Sequence, residues 1–349
     1  LQDLYADAAH VDLVDVTAEY LPWPLSELDA IYSRLVRLRG WPWALTYHLT
    51  NGPHRVALLK SGWWLLTGQS ILTLLSEHPA DVIVCCHPLL KAPIVQALKV
   101  AALEIPVITL VTDLASGHAS WFAPGGGRYL VATERVRARA LACGLPAESI
   151  QVTGLPVGPR FVNAAQEPAL ARARLGLNSG DPVALFLSGA SGMGLSSSLL
   201  KAVVRSGVQA QLVMITGRNE QLRAELSSET WPVPVKITGF VHNMQEWMCA
   251  ADLLVTKAGP STISEALVMG LPMVLSGALP GQEQPNVNYV VRGGAGLWAP
   301  NPSRVARAVR NLLSSDNEML ARLGDRAREL SRPNAAWRVA EIIWKSGNG

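Results

Sequence analysis

Thr256-Lys257-Ala258-Gly259-Pro260-Ser261-Thr262-Ile263-Ser264-Glu265-Ala266 directly follows the apolar run Asp252-Leu253-Leu254-Val255. A short β-branched run, a glycine turn and an immediate helical pattern form a strand–turn–helix unit, the building block of an α/β domain. Gly259 permits the sharp turn and Pro260 suits a first helical position. Ser261 and Thr262 place hydroxyls and unpaired backbone N–H groups at the positive end of the helix, which is a ready diphosphate site. Glu265, one turn further in, offers a carboxylate to a diol such as ribose. The same residues also read as an ordinary helix start with a Ser/Thr–Glu capping box. Taken alone, the stretch divides evenly between the two.

Working outward, the same alternation recurs along the chain. Strands are expected over 11–16, 81–86, 106–112, 129–132 and 150–153. A second series follows over 182–188, 211–216, 234–237, 252–256, 272–276 and 295–298. Helical patterns lie between them, over 89–103, 133–143, 196–206 and 261–269. Continuous apolar strands alternating with helices predict parallel sheets covered on both faces. Two glycines and two prolines in Gly154-Leu155-Pro156-Val157-Gly158-Pro159 break the pattern as a linker does. A helix over 167–177 then leads into the second series. A chain of 349 residues has room for two cores. We therefore expect α/β domains over 1–158 and 159–332, with an amphipathic helix in 333–349 that packs back on the first.

Composition narrows the function. Lys+Arg exceeds Asp+Glu by 30 − 27 = 3, too little for a nucleic-acid partner, and 49% hydrophobic residues exclude a disordered chain. The cations are unevenly spread. Arg34, Arg37, Arg39, Arg55 and Lys60 share the N-terminal region with Trp23, Trp41, Trp43, Trp63 and Trp64. That mixture suits a membrane interface, and it equally suits a core with solvated arginines. The apolar run over 56–75 is interrupted by Lys60, Ser61, Gly62, Gln69 and Ser70, short of the roughly 20 apolar residues of a spanning helix. Peripheral attachment at the cytoplasmic face of a membrane is the expectation. Cysteines 85, 86, 143 and 249 have neither metal nor disulfide spacing, as in a reduced compartment. Residue 1 is Leu, and 1–10 reads as a helix tail leading into a strand. The opening strand and tight turn of a doubly wound domain are missing from this reading, so the chain is expected to be truncated at its start.

Other stretches add chemistry. Ser188-Gly189-Ala190-Ser191-Gly192-Met193-Gly194 is a glycine turn after a strand without the lysine of an ATP-binding loop. A plain strand-to-helix turn explains it equally. Thr238-Gly239-Phe240-Val241-His242 leaves a strand end with backbone for a base edge. Pro280 to Asn288 concentrates Gln282, Glu283 and Asn286 before a helix, as sugar hydroxyls require. Lys257 or Arg218 can add positive charge near phosphates. No acidic cluster has metal-binding spacing, so a helix N-terminus is expected to take the role of Mg²⁺ and no cofactor is needed. In the first domain, Asp113 and His118 lie in the loop from Thr112 to Phe122, at a strand end where ligand sites of α/β sheets collect. His118 reads as an acid, base or phosphate ligand, or as a structural hydrogen-bonding group. Trp121 and Phe122, beside Pro124-Gly125-Gly126-Gly127, read as an exposed, mobile apolar lip. His87-Pro88 ends another strand.

Together these stretches resemble the monogalactosyldiacylglycerol synthases and bacterial diacylglycerol glucosyltransferases, of glycosyltransferase family 28. The resemblance covers nearly the whole chain and is densest from Gly239 to Asn288. It includes Gly270-Leu271-Pro272, His87-Pro88-Leu89, Thr112-Asp113-Leu114, Trp121-Phe122 and Gly154-Leu155-Pro156-Val157. It implies a GT-B fold of two Rossmann-like doubly wound domains facing a cleft, with metal-independent inverting transfer. The donor would be UDP-galactose or UDP-glucose, the acceptor diacylglycerol, and the first domain would lie on a membrane surface, where the N-terminal arginine cluster suits anionic lipid. It further implies that Gly259, Pro260, Ser261 and Thr262 hold the diphosphate and Glu265 the ribose. Phe240 and Val241 would flank uracil, Glu283 and Asn286 would touch the sugar, and Gly189, Gly192 and Gly194 would line the cleft. Trp121 would face the lipid acceptor. The family's Gly-Gly-Gly-His turn, whose histidine is its expected general base, has no counterpart here. A chain lacking it would bind UDP-sugar but turn over poorly. Two alternatives are a UDP-N-acetylglucosamine-dependent transferase with a polyprenyl-linked acceptor and a non-catalytic nucleotide-sugar-binding protein.

Overall fold

A computed structural model of the chain describes residues 1–5, 8–37, 41–123, 125–164, 167–187, 196–314 and 318–347. Its contacts divide it into two compact units. One comprises Leu1–Pro156, Leu279–Gln282 and Asn334–Gly349, the other Val157–Ala278 and Glu283–Pro333.

In the first unit, β1 (Ile83–Cys85), β2 (Val107–Leu110), β3 (Arg128–Val131) and β4 (Ile150–Val152) form a parallel sheet in chain order. Ile83 stands opposite Val107, Ile108 opposite Arg128 and Tyr129 opposite Ile150. One face is covered by the Pro53–Glu77 and Lys91–Val100 helices, whose Ile71, Leu74, Ile94 and Leu98 pack with Cys85 and Val107. On another patch, Val339, Ile342 and Ile343 of the terminal helix Ala335–Gly347 close over Ile108 and Leu130. The strand expected over 11–16 does not form. Its Val/Asp alternation is the approach to a short helix, Val16–Tyr20, for which Asp15 is the N-cap. Asp15 Oδ1 accepts from the Ala18 N–H at 3.1 Å, and the Asp15 N–H donates to Glu19 Oε1 at 2.9 Å. A reciprocal cap of this kind satisfies donors that a strand would have needed for a ladder.

The second unit holds β5 (Val183–Leu187), β6 (Gln211–Ile215), β7 (Val235–Thr238), β8 (Leu253–Lys257), β9 (Met273–Gly277) and β10 (Gly296–Trp298). They lie in the order β10-β9-β8-β5-β6-β7, all parallel. β5 and β6 are buried along their whole length, which is why they read as unbroken apolar runs. Strand order reverses between β5 and β8, and the crevice beyond their carboxyl ends is where open α/β sheets bind ligands. The sheet of the first unit keeps its four strands in chain order.

Candidate functional site

The carboxyl end of β8 builds the centre of the site. Between Thr256 and Lys257 the register with β9 shifts: Thr256 faces Leu275 but Lys257 faces Gly277. Irregularities of this kind re-aim a side chain at a strand end. The chain then turns, with the Gly259 N–H donating to the Lys257 carbonyl at 2.8 Å, and the Pro260–Met269 helix begins. Gly259 is the N-cap and makes no side-chain cap. The capping-box reading therefore fails. The Ser264 hydroxyl turns back to the Pro260 carbonyl at 2.9 Å. Pro260 has no N–H, and the first-turn N–H groups of Ser261 and Thr262 have no acceptor within their own helix. The helix start presents its donors outward with a partial positive charge behind them.

A second helix start is tied to the first. The Gln284–Arg292 helix has Glu283 as its N-cap residue. Glu283 and Asn286 are only 4% and 3% exposed. Lys257 Nζ forms an ion pair with Glu283 Oε1, and Asn286 Nδ2 donates to the Ala258 carbonyl at 3.0 Å. A Cβ built at Gly259 would lie 3.5 Å from Lys257 Nζ and 3.9 Å from Glu283 Oε1, in ordinary van der Waals contact, so the turn runs directly alongside the pair.

Glu265 lies one turn into the first helix, half-buried. Burial pushes its carboxyl up to about 7, with the nearby Arg160 guanidinium pulling the other way. Arg160, on the short Pro159–Ala164 helix, escaped the sequence reading because it follows a linker and matches no motif. Its Nη1 donates to the His242 carbonyl at 3.2 Å. His242 meets Phe240 edge to face, with ring centroids 5.1 Å apart, and the Arg218 guanidinium lies 5.6 Å from the centroid of the same ring. Phe240 is 50% exposed, and Val241 beside it is half-buried. An exposed aromatic face bordered by cations is a surface on which a base can stack. The Gly259–Thr262 turn, Glu265, Glu283, Asn286, Phe240, Val241 and Arg218 all belong to the second unit. Gly189, Gly192 and Gly194 lie outside the described residues.

The remaining candidates belong to the first unit. The Ser116 hydroxyl lies 3.4 Å from the Gln282 carbonyl, and Gln282 Oε1 is buried with no hydrogen-bond partner among the described residues. The exposed lip expected at Trp121 and Phe122 is corrected by the structure. Both rings are buried, at 3% and 1% exposure, in a cluster with Val111, Tyr129 and Val131. The indole N–H of Trp121 donates to Asp113 Oδ2 at 2.8 Å, which makes burying the ring favourable. His118 is enclosed by hydroxyls: Nε2 lies 3.0 Å from Thr50 Oγ1 and Nδ1 lies 2.8 Å from Ser120 Oγ. Burial, reinforced by the Arg139 charge, brings its imidazole down to about 4, so the ring is neutral at physiological pH. His87, just beyond β1, is also shifted down by burial. Among the described residues no three His, Cys, Asp or Glu side chains are grouped to hold a metal ion.

Comparison with known proteins adds ancestry to this geometry. Residues 1–157 match the family model for monogalactosyldiacylglycerol (MGDG) synthase, and residues 184–330 match the glycosyltransferase family 28 C-terminal domain. Monogalactosyldiacylglycerol synthase 3 of Arabidopsis thaliana, a chloroplastic protein, is 34% identical over 97% of this chain and 75% of its own length. A probable monogalactosyldiacylglycerol synthase 2 of Oryza sativa subsp. indica is 35% identical over 98% and 74%. Among solved structures, MurG of Acinetobacter baumannii superposes with a TM-score of 0.57 at 18% identity, covering 80% of this chain and 79% of MurG. Anabaena Alr3699/HepE, solved with UDP-glucose, gives 0.54 at 16% identity over 80% and 82%. These likenesses show a shared fold, the two-domain α/β architecture of GT-B glycosyltransferases.

Proposed function

The chain belongs to the monogalactosyldiacylglycerol synthase family, and from that premise we propose that it transfers galactose from UDP-galactose to diacylglycerol, inverting the sugar's configuration. The observation that carries the donor half is the joined pair of helix starts at the carboxyl end of the second sheet. Donors of the Ser261 and Thr262 backbone face the diphosphate, taking the role a divalent cation plays elsewhere. Phe240 and Val241 take the uracil face, Glu265 the ribose hydroxyls, and Glu283 and Asn286 the hexose. Arg160 and Arg218 supply positive charge around the nucleotide.

The acceptor half belongs to the first unit. Its Trp41–Thr50 and Pro53–Glu77 helices carry Trp41, Leu45, Leu49, Leu58, Leu65 and Leu66 exposed to solvent. Among the described residues no helix is long and apolar enough to cross a membrane. We assign these side chains to the bilayer surface that supplies diacylglycerol, with Arg34 and Arg55 favouring anionic headgroups, and place the protein on the cytoplasmic face. His118 is assigned to structure rather than to proton transfer, because both of its ring nitrogens are held by hydroxyls. The direct test is transfer of labelled hexose from UDP-galactose or UDP-glucose to diacylglycerol in phosphatidylglycerol-containing vesicles, beside lipid I as acceptor. Monogalactosyldiacylglycerol is the expected product. Transfer to lipid I alone, or UDP binding with no transfer to either lipid, would overturn the assignment.

A further inference from the structure

Lys257 stands where a cation for the donor diphosphate would be sought, yet its ammonium is committed to Glu283. We propose that Lys257 is a positioning residue for the transferred hexose, holding the Glu283 carboxylate in place, and that it is not the phosphate-binding cation. The proposal rests on the donor-site assignment above and adds to it a residue that acts through another.

Three features converge on the pair. The register shift at Thr256 and Lys257 redirects the lysine at the end of β8. The ammonium lies directly beside the Gly259 turn, 3.5 Å from where a Cβ there would stand. The Glu283 side chain is nearly enclosed, at 5% exposure, so a charge there needs a partner. Moving Lys257 onto an incoming diphosphate would break the ion pair of a nearly enclosed carboxylate. A buried charge whose partner is removed is strongly destabilising, and here it would also face a second anion of the same sign. With the pair intact, lysine and glutamate nearly cancel as seen from the phosphates. Affinity for the diphosphate then falls to the N–H groups at the start of the Pro260–Met269 helix. Orientation of the hexose falls to Glu283, fixed from one side by Lys257. The next turn of the same segment is fixed by Asn286 Nδ2 on the Ala258 carbonyl.

The experiment separates nucleotide binding from sugar transfer in the full chain. Calorimetry gives the affinity for UDP, and steady-state kinetics give kcat and KM for UDP-galactose, in Lys257→Met, Lys257→Arg, Glu283→Gln and the Lys257→Met/Glu283→Gln pair. UDP affinity is expected to stay within about three-fold of the unaltered chain. Transfer, as kcat/KM, is expected to fall by roughly 10–100-fold in Lys257→Met and in Glu283→Gln. The double variant should lose little more than either single one, and Lys257→Arg should recover most of the rate. Should Lys257→Met fail to fold by circular dichroism, Glu283→Gln and Lys257→Arg still decide, because both keep a hydrogen-bonding partner in place. Unaltered transfer in Glu283→Gln overturns the proposal. So does a loss of UDP affinity of about ten-fold or more in Lys257→Met that Glu283→Gln does not share. If the unaltered chain binds no UDP, the donor-site assignment itself is wrong and the proposal falls with it, a result distinct from the other two.

Discussion

Glu265 holds its proton to about pH 7 because burial penalises the carboxylate more than Arg160 favours it. Ribose hydroxyls donate hydrogen bonds, so the charged form is the better acceptor. The affinity for UDP should therefore rise with pH through 7, by about ten-fold between pH 6 and 8, and Glu265→Gln should flatten that dependence. Calorimetry at the two pH values checks this. The stability linkage has the opposite sense. A carboxyl raised on folding contributes stability that is fully present below its ordinary pKa and is lost as pH rises through about 7. The Glu265→Gln chain should thus gain on the parent in thermal stability above pH 7. At this scale sequence reading had uneven reach. Gly259, Pro260, Glu265, Glu283 and Asn286 were legible because they lie within two short stretches, each opening a helix. Arg160 was not, since its partner His242 is 82 residues away. Trp121 was misread because nothing local shows that Asp113 will take its indole N–H and draw the ring inward.

Among the elements, the Pro53–Glu77 helix is divided lengthwise. Ile71 and Leu74 lie in the core, while Leu58 and Leu65, two turns apart on one side, are 82% and 84% exposed. A leucine that enters hydrocarbon gains about 1.5–3 kcal/mol. Replacing both with glutamate should lower partitioning onto diacylglycerol-containing vesicles at least ten-fold, while leaving UDP affinity unchanged. Co-sedimentation reads the first and calorimetry the second. Equal sedimentation of both proteins would remove this helix from the membrane assignment. The elements of the two sheets were legible from β-branched runs, and β5 and β6 most of all because both of their faces are covered. The segment over 11–16 was not. Its alternation fits a strand by period, and only the capping contacts of Asp15 with Ala18 and Glu19 show that a helix wins.

At the level of the whole molecule, the first unit is discontinuous in sequence. The second is interposed between Pro156 and Asn334, apart from the returning Leu279–Gln282 segment. Without residues 334–349, Ile108 and Leu130 would lose their cover of Val339, Ile342 and Ile343. A chain ending at Pro333 should bind the dye ANS and precipitate on warming, because apolar surface stays open. Equal ANS fluorescence from the truncated and full chains would show that the helix is dispensable. The same arrangement sets an order of events on the ribosome. Domains fold largely as they emerge, yet the helix that closes the first sheet is made only after the whole of the second unit. The second unit can mature while the first is still incomplete. The growing chain therefore carries an uncovered sheet for most of its synthesis, and its dependence on a chaperone should be concentrated there.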